Sequence, residues 1–152
     1  MARWASSSCS WGRSWEGRTI GDLSPHFSTA EFACPHCHKC VVSGALIQSL
    51  EQLRDLGPEP IIVHDGYRCP EHNREVGGVE HSEHLLGIAA DIKIQGLSLQ
   101  QQYDRAKSVP DFDNGGIGVY DTNFIHVDVR DGKARWSRVN GVYSGLDQLV
   151  TP

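Results

Sequence analysis

The chain is 152 residues long, which is enough for a single domain to bury a hydrophobic core without help from disulfide bonds. Hydrophobic residues make up 39% of it and charged residues 22%, a balance typical of a folded α+β protein rather than a disordered one. The net charge is −5 and no run of Lys or Arg is present, so the composition argues against a nucleic-acid partner. No apolar run approaches the ~20 residues that cross a bilayer, and we expect no membrane partner either.

The N-terminal segment, residues 1–24, differs from the rest of the chain. It is rich in Ser, Gly and Arg and contains Trp4, Trp11 and Trp15, without the spacing of either a helix or a strand. We therefore predict a poorly ordered arm before a domain at 25–152. The segment also lacks the continuous apolar stretch of a secretory signal peptide, so we expect synthesis in the cytoplasm and release or export by a non-classical route.

Two helices and a strand are predicted in the first half of the domain. Ser28 and Glu31 form a capping-box pattern that opens a short helix. A longer helix begins at Ser43 and ends at Gly57-Pro58, because leucines recur on one face at positions 46, 50, 53 and 56. The apolar run PIIVHDGYR, residues 60–68, then predicts a buried strand whose last residues face a cleft.

Strands dominate the second half of the domain. One strand is predicted at Ile88–Ile94, and a helix follows from Ser98, with Gln101 completing a capping box. Further strands are predicted from GGIGVY, FIHVDVR and ARWS, because these short runs are separated by the turn sequences DTN and DGK.

The segment HSEHLLGIAAD, residues 81–91, contains ligand types that suit a metal. His84 lies just before a predicted strand and Asp91 lies within it. A catalytic zinc takes three protein ligands and keeps a fourth position for water, and His126 is a candidate for the third. Because side chains alternate along a strand, His126 and Asp128 share one face of FIHVDV. By pattern alone, a solvated turn and a half-exposed strand would also explain these residues.

Three motifs resemble, in order, those of the zinc D-Ala-D-Ala carboxypeptidase and murein endopeptidase family. They are GYRCP at 66–70, the pattern Ser-x-His-x-x-Gly-x-Ala-x-Asp at 82–91, and a late His-x-Asp at 126–128, and the resemblance spans residues 27–138. It implies an α+β fold in which a small antiparallel sheet, flanked by helices, carries a zinc site. The zinc ligands that it implies are His84, Asp91 and His126.

The resemblance also implies residues that act on the substrate. Arg68 matches the family arginine that holds a substrate carboxylate or the developing oxyanion. A guanidinium suits that task because it binds a carboxylate through two N–H groups and keeps its charge. A surface Arg68 paired with Asp65 or Glu71 is the alternative. Tyr120 and Ser82 are further candidates for substrate contact, although Tyr120 could equally be a packed aromatic.

The general base departs from the family pattern. Other branches of the family place a carboxylate three residues before the last zinc histidine, where this chain has Asn123, which cannot take a proton. Asp128 is the nearest carboxylate on the predicted metal face and is therefore the predicted general base, with Asp121 in the preceding turn as its competitor. Asp128 could instead orient His126, and His81 could assist from the other side of the metal.

A cluster of cysteines forms a second candidate metal site. CPHCHKC, residues 34–40, combines thiols and imidazoles of the kind that hold structural zinc. Without a signal peptide, free thiols or a metal are expected in preference to a disulfide framework. Cys69 is a distant candidate for a fourth thiolate. The ligands of a second, structural zinc would be Cys34, Cys37 and Cys40, with free or partly oxidised thiols as the alternative.

These features predict a monomeric zinc peptidase that hydrolyses a peptide bond in a peptidoglycan stem peptide or cross-link, as a D,D-carboxypeptidase or as an endopeptidase. A single domain of this kind without a signal peptide resembles phage lysis enzymes, which act on the cell wall after release. The alternative is a non-catalytic, zinc-holding binding module of the same fold. Asn123 favours that alternative, whereas Arg68 and the complete ligand set argue against it.

Overall fold

The computed structural model describes residues 21–152, so the tryptophans of the predicted arm lie outside the described residues. The helices in this range are α1 (Thr29–Phe32), α2 (Gly44–Asp55), α3 (Pro70–Glu75), α4 (Leu99–Lys107) and α5 (Pro110–Asn114), with short 3-10 helices at Glu83–Leu86 and Leu146–Gln148. The strands are β1 (Ile61–Asp65), β2 (Ala89–Ile94), β3 (Gly116–Tyr120), β4 (Phe124–Asp128), β5 (Ala134–Val139) and β6 (Val142–Ser144).

The α+β class is confirmed, and the strands of the described range form one sheet in the order β1-β2-β4-β3-β5-β6. Neighbouring strands are antiparallel except for β3 and β5, which run parallel. The sheet is therefore mixed rather than purely antiparallel as the resemblance implied, because β5 pairs in parallel with β3, the first strand of the β3–β4 hairpin. Within the described residues no helix is long and apolar enough to span a bilayer.

The predicted caps are present. The Ser43 hydroxyl accepts the backbone N–H of Leu46 at the start of α2. Ser98 and Gln101 bond each other's backbone N–H groups at the start of α4, as a capping box requires. These local bonds satisfy N–H groups that the helix itself leaves unpaired, which is why the two helix starts could be predicted from four-residue patterns.

The two faces of the sheet carry different kinds of side chain. One face carries apolar side chains of β2, β3 and β4 into a core that also takes buried leucines of α2 and Tyr103 of α4. The opposite face carries a row of paired residues across five strands. The row runs Asp65, Asp91, His126, Gly118, Trp136.

Two further features differ from the prediction. The first strand is not buried: β1 forms an edge of the sheet, and both Ile62 and His64 are exposed. An edge strand has a neighbour on one side only, so its outer side chains remain in water. Near the N-terminal end of the described residues, Leu23 and Ser24 are buried, and the Ser24 hydroxyl donates to Glu51 on α2. The last residues assigned to the arm therefore pack onto the domain.

Candidate metal centre

Three polar side chains meet on the polar face of the sheet. Asp91 and His126 are cross-strand partners on β2 and β4, and His84 reaches them from the 3-10 helix that precedes β2. His84 Nε2 lies 3.2 Å from both Asp91 Oδ1 and His126 Nδ1, and His126 Nδ1 lies 3.1 Å from Asp91 Oδ1. All three residues are buried. The structure therefore brings the three predicted zinc ligands together.

The hydrogen bonds on the outer side of each ring decide which nitrogen faces the centre. His84 Nδ1 lies 2.7 Å from the carbonyl oxygen of Gly66, which can only accept, so this nitrogen carries the proton. His126 Nε2 likewise donates to Asp128 Oδ2 at 2.8 Å. In the neutral rings, His84 Nε2 and His126 Nδ1 therefore present lone pairs to each other and to the carboxylate of Asp91.

Three electron-pair donors in mutual contact repel one another unless a positive charge lies among them. The carboxylates around the centre attract such a positive charge, whether it is a proton or a metal ion. Burial alone would raise the pKa of the Asp91 carboxyl, but His84 and His126 hold it well below its usual range. Burial alone would lower the pKa of His126, but hydrogen bonds to Asp128 and Asp91 raise it to about 9. The donor set thus fits a divalent metal with two imidazoles and one carboxylate, and zinc suits these ligands.

Asp128 lies behind His126 rather than in front of it. The side chain of Asp128 is fully buried, and its oxygens accept from the Gly116 N–H at 2.9 Å and from Arg130 Nη2 at 2.6 Å as well as from His126. Burial raises the pKa of this carboxyl, but His126 and Arg130 outweigh burial and lower it. Asp128 therefore orients the His126 ring, as a carboxylate behind a metal-binding histidine does, and the geometry disfavours its use as a general base.

Arg68 contacts the metal centre from the β1 side. Its Nε donates to Asp65 and its Nη2 donates to Asp91 Oδ2 at 2.9 Å. Asp91 thus has one oxygen towards the histidines and the other towards a guanidinium. The pairing with Asp65 that the sequence offered as an alternative is present, but it does not place Arg68 on the surface, because only 13% of the side chain is exposed. Arg68 also lines the pocket described next.

A pocket of about 480 Å³ opens over the metal centre and has His84, Asp91 and His126 in its lining. Tyr120 and Asp121 border it near the β3–β4 turn. From the opposite side it is bordered by His81, Arg68 and Ser82, whose hydroxyl also accepts the His84 backbone N–H. The predicted substrate-contacting and catalytic residues, except Asp128, therefore surround one cavity.

Asn123 does not line this pocket. It lies at the β3–β4 turn with φ of 63°, and its side-chain oxygen accepts from Gln102 on α4 at 3.1 Å. Because α4 packs on the core face of the sheet, this amide turns away from the metal. The lack of a carboxylate at this position therefore removes nothing from the pocket, and it no longer supports the binding-module alternative.

Two residues of the site were missed by the sequence analysis. Trp136 lies against His126, with ring centroids 5.0 Å apart, and a side chain at Gly118 would collide with the indole at 2.3 Å. Arg130 lies over the Trp136 ring, 5.4 Å from its centroid, and binds Asp128. Strand alternation beyond Asp128 could have indicated Arg130, whereas the contact with Trp136 depends on the β3–β5 pairing, which no local pattern reports.

The predicted cysteine site is partly wrong. The thiols of Cys34 and Cys37 do approach each other, but the third thiol near them is that of Cys69, and these sulfurs lie within 4.8 Å of one another. Cys40 instead packs in the hydrophobic core. Cys40 is also disulfide-bonded, which takes its sulfur out of the cluster and corrects the expectation of free thiols at this position, and the Cys-x-x-Cys-x-x-Cys spacing alone could not show this.

A buried two-histidine, one-carboxylate centre open to a pocket is a ligand set that catalytic zinc sites of hydrolases use. The sequence profile of the Peptidase M15 family matches residues 25–128, a range that includes the complete ligand set and more than half of the chain. The protein therefore belongs to the Peptidase M15 family of metallopeptidases. A search of curated proteins found no match.

Proposed function

We propose that the protein is a zinc-dependent peptidase that cleaves a peptide bond in the stem peptide or cross-link of peptidoglycan, as a D,D-carboxypeptidase or an endopeptidase. The observation that carries the proposal is the convergence of three metal-binding atoms, 3.1 to 3.2 Å apart, in the lining of a pocket. Membership of the Peptidase M15 family supports the reaction class, and the three motifs of the sequence support the substrate. The cell wall would be the place of action, as for phage lysis enzymes.

His84, Asp91 and His126 would hold the zinc ion. When bound, zinc supplies a Lewis acid that activates water and polarises the scissile carbonyl. The protein contributes a rigid ligand set, because the Gly66 carbonyl fixes one ring and Asp128 fixes the other. Arg130 in turn holds Asp128, so His126 cannot rotate without breaking its buried hydrogen bond to Asp128.

Arg68 would orient the substrate. Peptidoglycan stem peptides carry carboxylates, and the guanidinium lies at the pocket beside Asp91 with two of its five N–H donors engaged by Asp65 and Asp91. The other donors are suited to a substrate carboxylate or carbonyl oxygen. This position allows Arg68 to align the peptide relative to the metal centre, which lowers the entropic part of the barrier.

Tyr120 would donate a hydrogen bond to the substrate. Its hydroxyl accepts from the Trp136 indole N–H at 3.4 Å. Burial and the nearby charge of Asp91 raise the pKa of the phenol, which therefore keeps its proton. A phenol that keeps its proton can donate it to a developing oxyanion in the pocket in place of its hydrogen bond with Tyr143.

Asp121 would be the general base. With Asp128 engaged behind His126, Asp121 is a carboxylate of the pocket that remains exposed, and it has one oxygen bonded by the Asn140 backbone N–H at 2.7 Å. An exposed carboxylate can take a proton from water and return it to the leaving amine. His81, which is also exposed at the pocket, would assist from the opposite side.

The test is incubation of the purified protein with defined muropeptides, with and without a chelator, followed by mass spectrometry of the new termini. We expect zinc-dependent cleavage, and the termini identify the bond. If the zinc-loaded protein binds muropeptides but leaves every one of them intact, the non-catalytic binding module replaces the peptidase. Cleavage that survives complete removal of metal would contradict the proposal as a whole.

A further inference from the structure

A second cluster of metal-binding groups lies outside the pocket. Cys34 and Cys37 belong to the turn that follows α1, and Cys69 is the N-cap residue of α3. All three are free thiols, and their sulfurs lie within 4.8 Å of one another. None of the three lines the pocket of the metal centre. The cluster is therefore a separate site, which the peptidase reaction does not use.

Backbone N–H groups surround the sulfurs of this cluster. The N–H of Cys69 points at Cys34 Sγ at 3.4 Å, and those of His36 and Cys37 also bond this sulfur. The N–H of His72 points at Cys69 Sγ at 3.5 Å. Burial raises the pKa of Cys34, but these N–H groups outweigh burial and lower it, which favours the thiolate that binds metal. At Cys69 the His72 N–H lowers the pKa, but burial and the neighbouring thiols raise it to about 11, because thiolates this close repel one another unless a cation lies between them.

An imidazole completes the set. His36 Nδ1 lies 3.4 Å from Cys69 Sγ, and two ligands of one tetrahedral zinc are separated by about 3.6 Å for a nitrogen and a sulfur. The other ring nitrogen of His36 lies 3.8 Å from Glu75 Oε1. A carboxylate on the far side of an imidazole is the usual companion of a zinc-binding histidine.

We propose that Cys34, Cys37, Cys69 and His36 bind a structural zinc ion. Three thiolates and one imidazole have the number and kind of ligands found in closed structural zinc sites. A disulfide within the cluster would use two of the sulfurs and would explain neither the third thiol nor the contact with His36. The third thiolate ligand is that of Cys69, where the sequence analysis predicted Cys40.

The ion would join two segments that are far apart in sequence. The turn at 34–37 would be tied to the start of α3, directly after Arg68. Arg68 is already held by hydrogen bonds from its backbone N–H to the His84 carbonyl and from its side chain to Asp91. The structural zinc would therefore stabilise the corner that presents Arg68 to the pocket. This inference does not rest on the proposed peptidase function.

Cobalt substitution tests the site directly, because thiolate ligands give cobalt a charge-transfer absorption in the near ultraviolet that histidine and carboxylate ligands do not give. The measurement uses the full chain carrying His84→Ala, under reducing conditions, so that the cysteine cluster is observed alone. We expect about one bound cobalt or zinc per chain with the thiolate band present. Absence of the band, or of bound metal, would overturn the proposal.

Three variants in this background sharpen the test. Cys69→Ser should lose the metal and the band while keeping helix α3, because serine is itself a good N-cap residue. His36→Asn should weaken metal binding by about 10-fold or more, as changes at a metal site typically do. His38→Asn is the matched control: His38 is exposed with φ of 60°, asparagine tolerates that conformation, and binding should not change. Equal affinity of the His36 and His38 variants, or a disulfide within the cluster in protein isolated without reductant, would contradict the assignment.

Discussion

The two candidate metal-binding clusters of this protein are built in opposite ways. The ligands at the pocket lie on a sheet and its adjoining 3-10 helix, and each ring is held from behind by a carbonyl or carboxylate. The cysteine cluster lies on a turn and a helix start, away from the pocket. A rigid, open set suits an ion that must meet a substrate, whereas a set made of loops suits an ion that holds the loops together. The difference separates a reactive role from a structural one, and the following changes test that separation.

The largest effect is expected for His84→Ala. Removal of this ligand should take one zinc from the protein and reduce muropeptide cleavage to background, because three protein ligands define the reactive site. The cysteine cluster should keep its metal. Zinc analysis and a cleavage assay measure both outcomes, with His64→Gln, an exposed histidine outside the pocket, as the control. Loss of both metals with retained folding would show that the clusters are not independent.

Asp121→Asn should leave both clusters loaded and impair chemistry. Removal of a general base typically lowers turnover by about 10² to 10⁴, so kcat should fall by this amount while zinc content stays constant. Asp131→Asn, at an exposed residue that does not line the pocket, provides the matched control. Near-normal turnover of the Asp121 variant, together with strong loss in a His81→Gln variant, would transfer the role to His81.

Arg68→Lys tests the residue that lies between the clusters. Lysine keeps the charge but loses the planar fork that contacts both Asp65 and Asp91. Hydrogen bonds to charged groups contribute about 1.5 to 3 kcal/mol, so kcat/KM should fall by about 10- to 100-fold, with the cobalt spectrum of the cysteine cluster unchanged. Arg74→Lys on the exposed side of α3 should have no effect. Unchanged kcat/KM for Arg68→Lys would remove Arg68 from substrate binding.

Asp128→Asn should act on metal affinity at the pocket only. A change behind a metal ligand typically weakens binding by about 10- to 100-fold, and saturating zinc should restore most of the activity. Competition with a chromophoric chelator measures the affinity, with the exposed Asp104, changed to Asn, as the control. If Asp128→Asn stays inactive at saturating zinc while Asp121→Asn is active, Asp128 is the base after all.

The sequence predicted those parts of the fold that depend on neighbouring residues. The caps of α2 and α4 involve four consecutive residues each, and strand alternation correctly placed His126 and Asp128 on one face. Alternation says which face a side chain occupies but not what lies between two side chains on that face. The contact of His126 Nε2 with Asp128, which disfavours Asp128 as a base, therefore required the structure.

The cysteine cluster shows what depends on distant contacts. The backbone N–H of Tyr67 donates to the Phe32 carbonyl at 2.9 Å, which brings the segment after β1 alongside α1 and places Cys69 beside Cys34. No spacing within CPHCHKC contains that information. The same limit applied to Trp136, whose place beside His126 follows from the pairing of β5 with β3.

The row of paired residues from Asp65 to Trp136 across five strands makes the set of metal ligands depend on correct strand pairing. Because side chains alternate, a slip of β2 by one residue against β4 would turn Asp91 into the core and bring Ala90 or Ile92 to the pocket. In a chain with such a slip, a polar side chain would point into the hydrophobic core, and only two of the three metal ligands would face the pocket. Zinc binding at the pocket therefore also reports whether the strands have paired correctly. The amount of zinc bound after refolding would measure the fraction of molecules with correctly paired strands.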